Sequence, residues 1–557
     1  MADHENNNNG CANNKPEEPH PHPVFEQLPG VQYCINSPPP LLEAICLGFQ
    51  HYLLALGSIV LIPSMLIPQM GGSDREKAIV IQTLLFVSGL NTLFHSFFGT
   101  RLPSVIGGSY AFLIPATAII HSRRYTMILS PEERFMHTMR EIQGALIISS
   151  CFQMIAGFIG LWRNIAVNPS LYGPIGLFRW TWALPSRFPI GKLCLDDLIF
   201  NRNSQIAKCA AVGIPEFILI IVISQYLPRF IKPKKPLCDR FALLFSIAIV
   251  WLYAEILTGS GAFTKSKNFS CRTDSSGLIK GAPWIYVPFP FQWGPPTFRA
   301  GQIFVAIAAS FVASIESTGS FIAAARYGSA TPVPPSVISR GVIWLGVGTM
   351  LNAVFGSVTG STAIYLLQRL RILYRENAGL LALTRAGSRR VVQISAAFMI
   401  LFSVLGKFGA IFASIPTPIM AASYCIFFGY VSSAGLGFLQ FCNLNSFRTK
   451  LILGLSFFIG LSLPQYFKEN HSILRTDPVN RHSTWFNDFV SVIFTSHVTV
   501  AVLVALLLDC TLCHGSDEER KDNGSYWWKK FMFYDKDVRN DEFYKLPGRL
   551  NSCFPAF

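Results

Sequence analysis

Along residues 41–510, apolar stretches of about twenty residues recur, separated by short segments that hold most of the Arg, Lys, Asp and Glu. At about 1.5 Å per residue, such a stretch wound as a helix crosses the roughly 30 Å hydrocarbon core of a bilayer with its backbone hydrogen bonds satisfied internally. The pattern predicts an all-α polytopic membrane protein of about fourteen transmembrane elements, at 41–62, 78–98, 103–121, 142–162, 168–187, 209–230, 240–258, 302–325, 337–356, 361–384, 391–409, 412–435, 448–466 and 489–509. The fifth departs from the pattern, because 163–205 mixes Arg163, Arg179, Arg187, Lys192, Asp196 and Asp197 into its apolar residues, and it is expected to be distorted or partly outside the membrane. Polar segments at 1–40 and 511–557 flank the membrane domain, and both are expected in the cytoplasm.

Two elements are short and broken by glycine. The third reads Leu102-Pro103-Ser104-Val105-Ile106-Gly107-Gly108-Ser109-Tyr110-Ala111-Phe112, and the tenth opens Gly360-Ser361-Thr362-Ala363. Similar phrases precede them, Phe98-Gly99-Thr100 and Phe355-Gly356-Ser357. Positions three and ten of fourteen are equivalent in a seven-plus-seven repeat. An odd number of crossings per repeat inverts one half against the other, so that paired broken elements meet near the midplane and leave backbone groups there for a solute.

Composition agrees with lipid as the solvent: 51% of residues are hydrophobic and 14% charged, too few to coat a soluble protein of 557 residues. The net charge of +15 lies in short loops and the tail with no continuous basic stripe, which argues against a nucleic-acid partner. With the amino terminus in the cytoplasm, Arg229, Lys232, Lys234, Lys235, Arg240, Arg385, Arg389, Arg390, Arg448 and Lys450 fall inside, as the positive-inside bias expects. The loop 122–141 disagrees, being external yet carrying Arg123, Arg124, Arg134 and Arg140 against Glu132, Glu133 and Glu141. Asn268-Phe269-Ser270, in the long external loop 259–301, fits a glycosylation acceptor. Cys46, Cys151, Cys425 and Cys510 sit in apolar segments as small hydrophobes, and no spacing suggests a metal or a cofactor.

Glu316 stands in an otherwise uncharged span, Ala308 to Gly319, where a carboxylate costs several kcal/mol unless protonated, paired or wet. Such a residue marks a functional site or satisfies a neighbouring helix. Glu376 and Asn377 follow the break of the tenth element, close to where its repeat partner places Phe112. Two carboxylates, an amide and an aromatic face suit a planar heterocycle, since carboxylates accept ring N–H groups, the amide offers both polarities and Phe stacks. Phe112 could equally serve helix packing. Gln50-His51 in the first span reads foremost as a polar strut between helices and otherwise as cavity lining. Thr384 and Arg385 close the tenth element, Arg385 doubling as an inside anchor.

The run Glu376-Asn377-Ala378-Gly379-Leu380-Leu381-Ala382-Leu383-Thr384-Arg385 resembles the signature of the nucleobase-ascorbate transporter family, the nucleobase:cation symporters. Gly387 to Gln393 and Leu439 to Arg448 look like its plant branch, and Gln50-His51, Ser109 to Phe112 and Glu316 fall where the family keeps corresponding motifs. The resemblance implies a core of elements 1–4 and 8–11, a gate of 5–7 and 12–14, a homodimer, and elevator-like alternating access. It implies that Phe112, Glu316, Glu376 and Asn377 bind the base, supported by Gln50, His51, Ser109, Tyr110, Thr384 and Arg385. A secondary active transporter of a nucleobase of the xanthine, uracil or adenine type, driven by proton symport in the plasma membrane, is the leading expectation.

The chain departs from the family at three places. Ala363 to Arg375 is inserted where the family has only a few residues, bringing Arg369, Arg371 and Arg375; Asn352 stands where many members have an acidic residue; and 163–205 matches poorly. The insertion opens a second reading, a non-transporting or dominant-negative member. Ascorbate is an alternative solute, against which Glu376 in the first motif place argues. Paired carboxylates disfavour an anion carrier, and no nucleophile–base pair, metal cluster or phosphate loop supports an enzyme. The tail, with Asp517 to Asp522 and Trp527-Trp528-Lys529-Lys530, reads as cytoplasmic and interfacial.

Overall fold

Helices begin and end in this chain where local chemistry permits. In the computed structural model, which describes residues 33–126, 130–162, 209–227, 241–262, 272–273, 282–363, 387–413, 447–476, 484–495, 497–512 and 539–548 with Tyr534 and a few positions between 415 and 426, α1 (Leu41–Met70) stops at Gly71. That glycine adopts φ 92°, where a side chain would be strained, and its N–H closes on the Ile67 and Pro68 carbonyls. Two residues later Ser73 and Glu76 form a capping box that starts α2 (Asp74–Phe97), the Glu76 carboxylate accepting from the Ser73 N–H at 2.7 Å.

The third element breaks up as its glycines predict. It runs as strand β1 (Ile106–Gly108), a 3₁₀ turn at Tyr110–Phe112 and a two-turn helix α3 (Leu113–Ile120). Beyond it come α4 (Pro131–Phe158), α5 (Ala210–Ile221) running into a π-helical turn at Val222–Tyr226, and α6 (Ala242–Gly259). Then follow α7 (Ala300–Tyr327), α8 (Pro335–Phe355), strand β2 (Ser361–Ala363), α9 (Arg389–Val404) and α10 (Gly406–Ala413). The last described helices are α11 (Phe447–Thr476), α12 (Thr484–Thr495), α13 (His497–Thr511) and the short α14 (Arg539–Tyr544). Seven of the described helices, α1, α2, α4, α6, α7, α8 and α11, contain a stretch long and apolar enough to cross a membrane.

The structure alters three expectations. The loop expected over 122–141 is helical from Pro131, eleven residues before the predicted start of the fourth element, because Ser130 caps the helix, Pro131 occupies its first turn and Glu132 and Glu133 complement its dipole. The charges there are also neutralised among themselves: Glu141, only 1% exposed, accepts from Arg124 and Tyr125 and lies 3.6 Å from the Arg299 guanidinium. Burial and the bond to Glu141 push the Tyr125 hydroxyl above the usual tyrosine range. Part of the long loop expected at 259–301 is docked, Trp293 donating to the Gly356 carbonyl at 2.8 Å and Gln292 to that of Phe355 at 2.6 Å. Finally, the eleventh element is two helices, since Leu405 leaves helical geometry at ψ 72° between α9 and α10. The fifth element and the inserted residues 364–375 lie outside the described residues.

Packing divides the helices. Helices α4 and α8 lie against each other, with Gly157 facing Ile343 and Gly346 facing Met154 closely enough that a methyl at either would fall 2.5–2.6 Å from a side-chain atom. Small residues let membrane helices approach to that distance where no water-driven force holds them. Around this pair pack α2 with α9, α1 with α9, and α7 with α4. Helix α5 packs on α6, and α11 on α13 and α12, while α12 touches α7 and α3. Leu252, Ile256 and Phe458, all more than 60% exposed, turn outward from α6 and α11, as side chains facing lipid do.

Candidate functional site

The two glycine-broken segments meet. β1 pairs antiparallel with β2, matching Ile106 with Ala363, Gly107 with Thr362 and Gly108 with Ser361. The ladder continues past the strands, where the Ser109 N–H donates to the Gly360 carbonyl at 2.9 Å and the Thr359 hydroxyl donates to the Ser109 carbonyl at 2.5 Å. Only side-chain-free backbone fits there: a Cβ on Gly360 would stand 2.5 Å from the Phe112 ring. Phe112, 2% exposed, therefore lies directly on the strand crossing at the mouth of α3.

Polar side chains from three helices, α2, α7 and α8, fix β2. Ser361 receives the Asn352 amide at 2.8 Å and the Asn91 amide at 2.9 Å, while its own N–H donates to the Thr349 hydroxyl at 3.1 Å. The other end of Asn352 accepts from the Ser357 hydroxyl at 2.9 Å. The Asn352 amide thus uses both its polarities to tie the approach to β2 to the strand itself, which a carboxylate, accepting only, could not do in the same way. From α7, Ser317 lies 2.8 Å from the Thr362 hydroxyl and accepts the Ala363 N–H at 3.2 Å, and Ser320 donates to the Ala363 carbonyl at 3.2 Å.

Glu316 precedes Ser317 on that same grip. It is 5% exposed and, among the described residues, its carboxylate makes no hydrogen bond and no ion pair. Ser109 is similar in kind, a fully buried hydroxyl without a partner. Buried polar groups left open in this way cost about 1–3 kcal/mol each, more for a charge, so they call for a ligand, a proton or water.

The structure thus gathers Phe112, Ser109, Tyr110 and Glu316 around one strand crossing, through contacts of α7 with β2 and with the turn at Tyr110–Phe112. Gln50 and His51 are buried on α1, which borders β1 and α3, and neither bonds to Glu316. Glu376, Asn377, Thr384, Arg385 and the acceptor Asn268 lie outside the described residues.

Two buried charges were not singled out from the sequence. Glu216 on α5 is fully buried and accepts from Ser246 at 2.9 Å and from Ser423 at 3.3 Å, bridging α5, α6 and the segment that holds Ser423. A carboxylate inside the apolar run Ile214 to Val222 was the available signal. Arg340 on α8, 3% exposed, donates to the Gly99 carbonyl at 2.7 Å and the Tyr544 carbonyl at 2.9 Å. It sits in the second turn of α8, held by backbone carbonyls.

Comparison with known proteins follows the same lines. The sequence model of the Permease family matches residues 42–469. Nucleobase-ascorbate transporter 7 of Arabidopsis thaliana is 53% identical over 96% of this chain and 96% of its own, and Nucleobase-ascorbate transporter 4 of the same plant is 53% identical over 96% and 98%. Nucleobase-ascorbate transporter LPE1 of Zea mays is 47% identical over 96% and 98%. Among solved structures, the transmembrane domain of the cyanobacterial bicarbonate transporter BicA aligns with 84% of this chain and 97% of its own at 13% identity and a TM-score of 0.39, too distant to weigh. Identity at this level along nearly the whole chain makes it a multi-pass membrane protein of the Permease family, and a member of the nucleobase-ascorbate transporters.

Proposed function

We propose that this protein is a secondary active transporter that moves a nucleobase, of the xanthine, uracil or adenine type, by proton symport across the plasma membrane with both termini in the cytoplasm. The observation that carries the proposal is the carboxylate of Glu316, which has no partner among the described residues, beside the β1–β2 crossing. A base would donate a ring N–H to Glu316, lie against Phe112 and meet the Ser109 hydroxyl, with Glu376 and Asn377 completing its edge. A carboxylate shut away from water changes its proton occupancy when a donor arrives or when the site opens, which is the coupling a symporter needs. Inverted seven-element repeats, a moving core of elements 1–4 and 8–11, a gate of elements 5–7 and 12–14 and a homodimer complete the proposal. The relatives' names support a nucleobase or ascorbate as cargo.

Uptake of radiolabelled xanthine, uracil, adenine and ascorbate in a transporter-deficient host tests it, with surface expression measured in parallel. Uptake of at least one base is expected, falling when a protonophore is added. Glu316→Ala is expected to lower it roughly 10- to 100-fold, the worth of one hydrogen bond to a charged group. Uptake indifferent to Glu316→Ala would sink the site assignment, and uptake of ascorbate alone the choice of cargo.

The inserted residues Ala363 to Arg375 favour a second reading, a member that pairs with active relatives without transporting. Uptake only after removal of Ile364 to Arg375 would establish it.

A further inference from the structure

Where the amino-terminal segment, the end of α2, the start of α9 and the carboxy-terminal segment converge, they frame an open cavity of about 640 Å³. Arg101, Arg389, Arg390 and Lys545 line it with a single carboxylate, Asp541, and that one is already paired with Lys545 at 3.1 Å. Arg389 spends two donors on backbone, reaching the Arg101 carbonyl at 2.9 Å and the Phe543 carbonyl at 3.1 Å. Arg340 lies behind the wall on the Gly99 and Tyr544 carbonyls, and Arg101 is near enough to repel both it and Arg389. None of these four arginines has an ion-pair partner among the described residues.

Grouping like charges without a counter-ion is unfavourable in proportion to how little water screens them. Burial already holds the Arg101 guanidinium below its usual range. A second observation is independent of the arginines. Ser388, at the N-cap of α9, is 1% exposed, lines the cavity, and its hydroxyl has no hydrogen-bond partner among the described residues and makes no capping bond. A forked guanidinium beside a hydroxyl at a helix start is the donor set that phosphate takes. The opposite wall is apolar, with Phe97, 46% exposed, and Pro38, Leu546 and Pro547.

We propose that this cavity binds a phosphate-bearing anion, presented either by the headgroup of an anionic phospholipid or by a soluble phosphate compound. The anion would neutralise Arg101 and Arg390, accept from Ser388, and brace the carboxy-terminal segment against α2 and α9. The apolar rim beside charged donors at the end of spanning helices suits a lipid whose chains stay in the bilayer. The site is separate from Glu316 and Phe112 and does not depend on which solute is carried.

The test uses the purified full chain in a neutral detergent and follows the midpoint of thermal unfolding. Phosphatidylinositol 4-phosphate, phosphatidylcholine, and sodium phosphate against sodium chloride at equal ionic strength are added in turn, to the natural chain and to Arg390→Gln and Arg101→Gln. Arg390 is exposed and makes no hydrogen bond or ion pair among the described residues, so its variant is expected to keep the fold. A rise of a few degrees with the phosphoinositide that phosphatidylcholine does not give, lost or at least halved in both variants, supports the proposal. If sodium phosphate alone reproduces the rise, the source is a soluble phosphate; if only the phosphoinositide acts, it is a lipid. No anion-specific rise in the natural chain, or an undiminished rise in both variants, overturns it.

Discussion

Gly360 and Phe112 show how narrowly single atoms set this site. A methyl on Gly360 meets ring carbons at 2.5–2.9 Å, so Gly360→Ala must displace Phe112 or part the strands. Near-normal surface expression with uptake lowered at least about tenfold is the expected outcome, since misplacing a binding group by an ångström costs on that order or more. Phe112→Ala removes a stacking face worth about 0.5–1.5 kcal/mol, and should raise the apparent KM roughly 3- to 10-fold with maximal rate less affected. Asn352→Ala removes one hydrogen bond from each of Ser357 and Ser361, leaving them the Thr359 carbonyl and the Asn91 amide, and at about 0.5–1.5 kcal/mol per bond should cost about 1–3 kcal/mol, read as a lower unfolding midpoint. Of these three, only Phe112 was legible as a candidate binding residue in advance. Gly360 was legible as a break but not as a seat for a ring 248 residues away, and Asn352 could be noted as a departure without its two partners being visible.

At the scale of elements, the contact of α4 with α8 is the most extensive pairing among the described helices, and Gly157 and Gly346 let it close. Gly157→Leu places a branched side chain where even a methyl reaches 2.5 Å from Ile343; such overpacking typically costs about 1–3 kcal/mol. The expected readout is a lower midpoint of thermal unfolding in detergent and reduced surface expression, in contrast to Gly360→Ala. Hydropathy made α1, α2, α7 and α8 readable because their apolar runs are unbroken. It failed at the start of α4 because Arg124, Arg134, Arg140 and Glu141 count as polar one by one, whereas in the fold Glu141 is enclosed by Arg124, Tyr125 and Arg299. Arg340 escaped notice for a related reason: its partners are the carbonyls of Gly99 and Tyr544, which no side-chain pattern announces. Glu216 could have been found by the rule that found Glu316, but it lies in a short run that begins beside the divergent stretch 163–205.

For the whole molecule, the carboxy-terminal segment is a structural part of the membrane domain, although its sequence reads as a tail. Tyr544 is fully buried, Thr331 and Asn540 share a hydrogen bond of 2.6 Å, and Asn36 reaches the Glu542 carbonyl at 3.2 Å, so the segment before α1 is fastened to the segment around α14, and that segment to α8 through Arg340. Truncation before Arg539 is expected to leave Arg340 buried with one carbonyl fewer and to lower stability by about 3 kcal/mol or more, measured as accelerated loss of the folded protein on heating in detergent. A shortened chain as stable as the full one would show the contacts to be incidental.

The pairing of β1 with β2 carries a consequence for the chain's synthesis. Its continuation joins Thr359 to Ser109 across 250 residues, and each strand alone presents bare amide groups that hydrocarbon cannot satisfy. While the second half is still being synthesised, the third element therefore lacks the strand that satisfies its amides, and a chain ending anywhere before Ser361 would keep them bare.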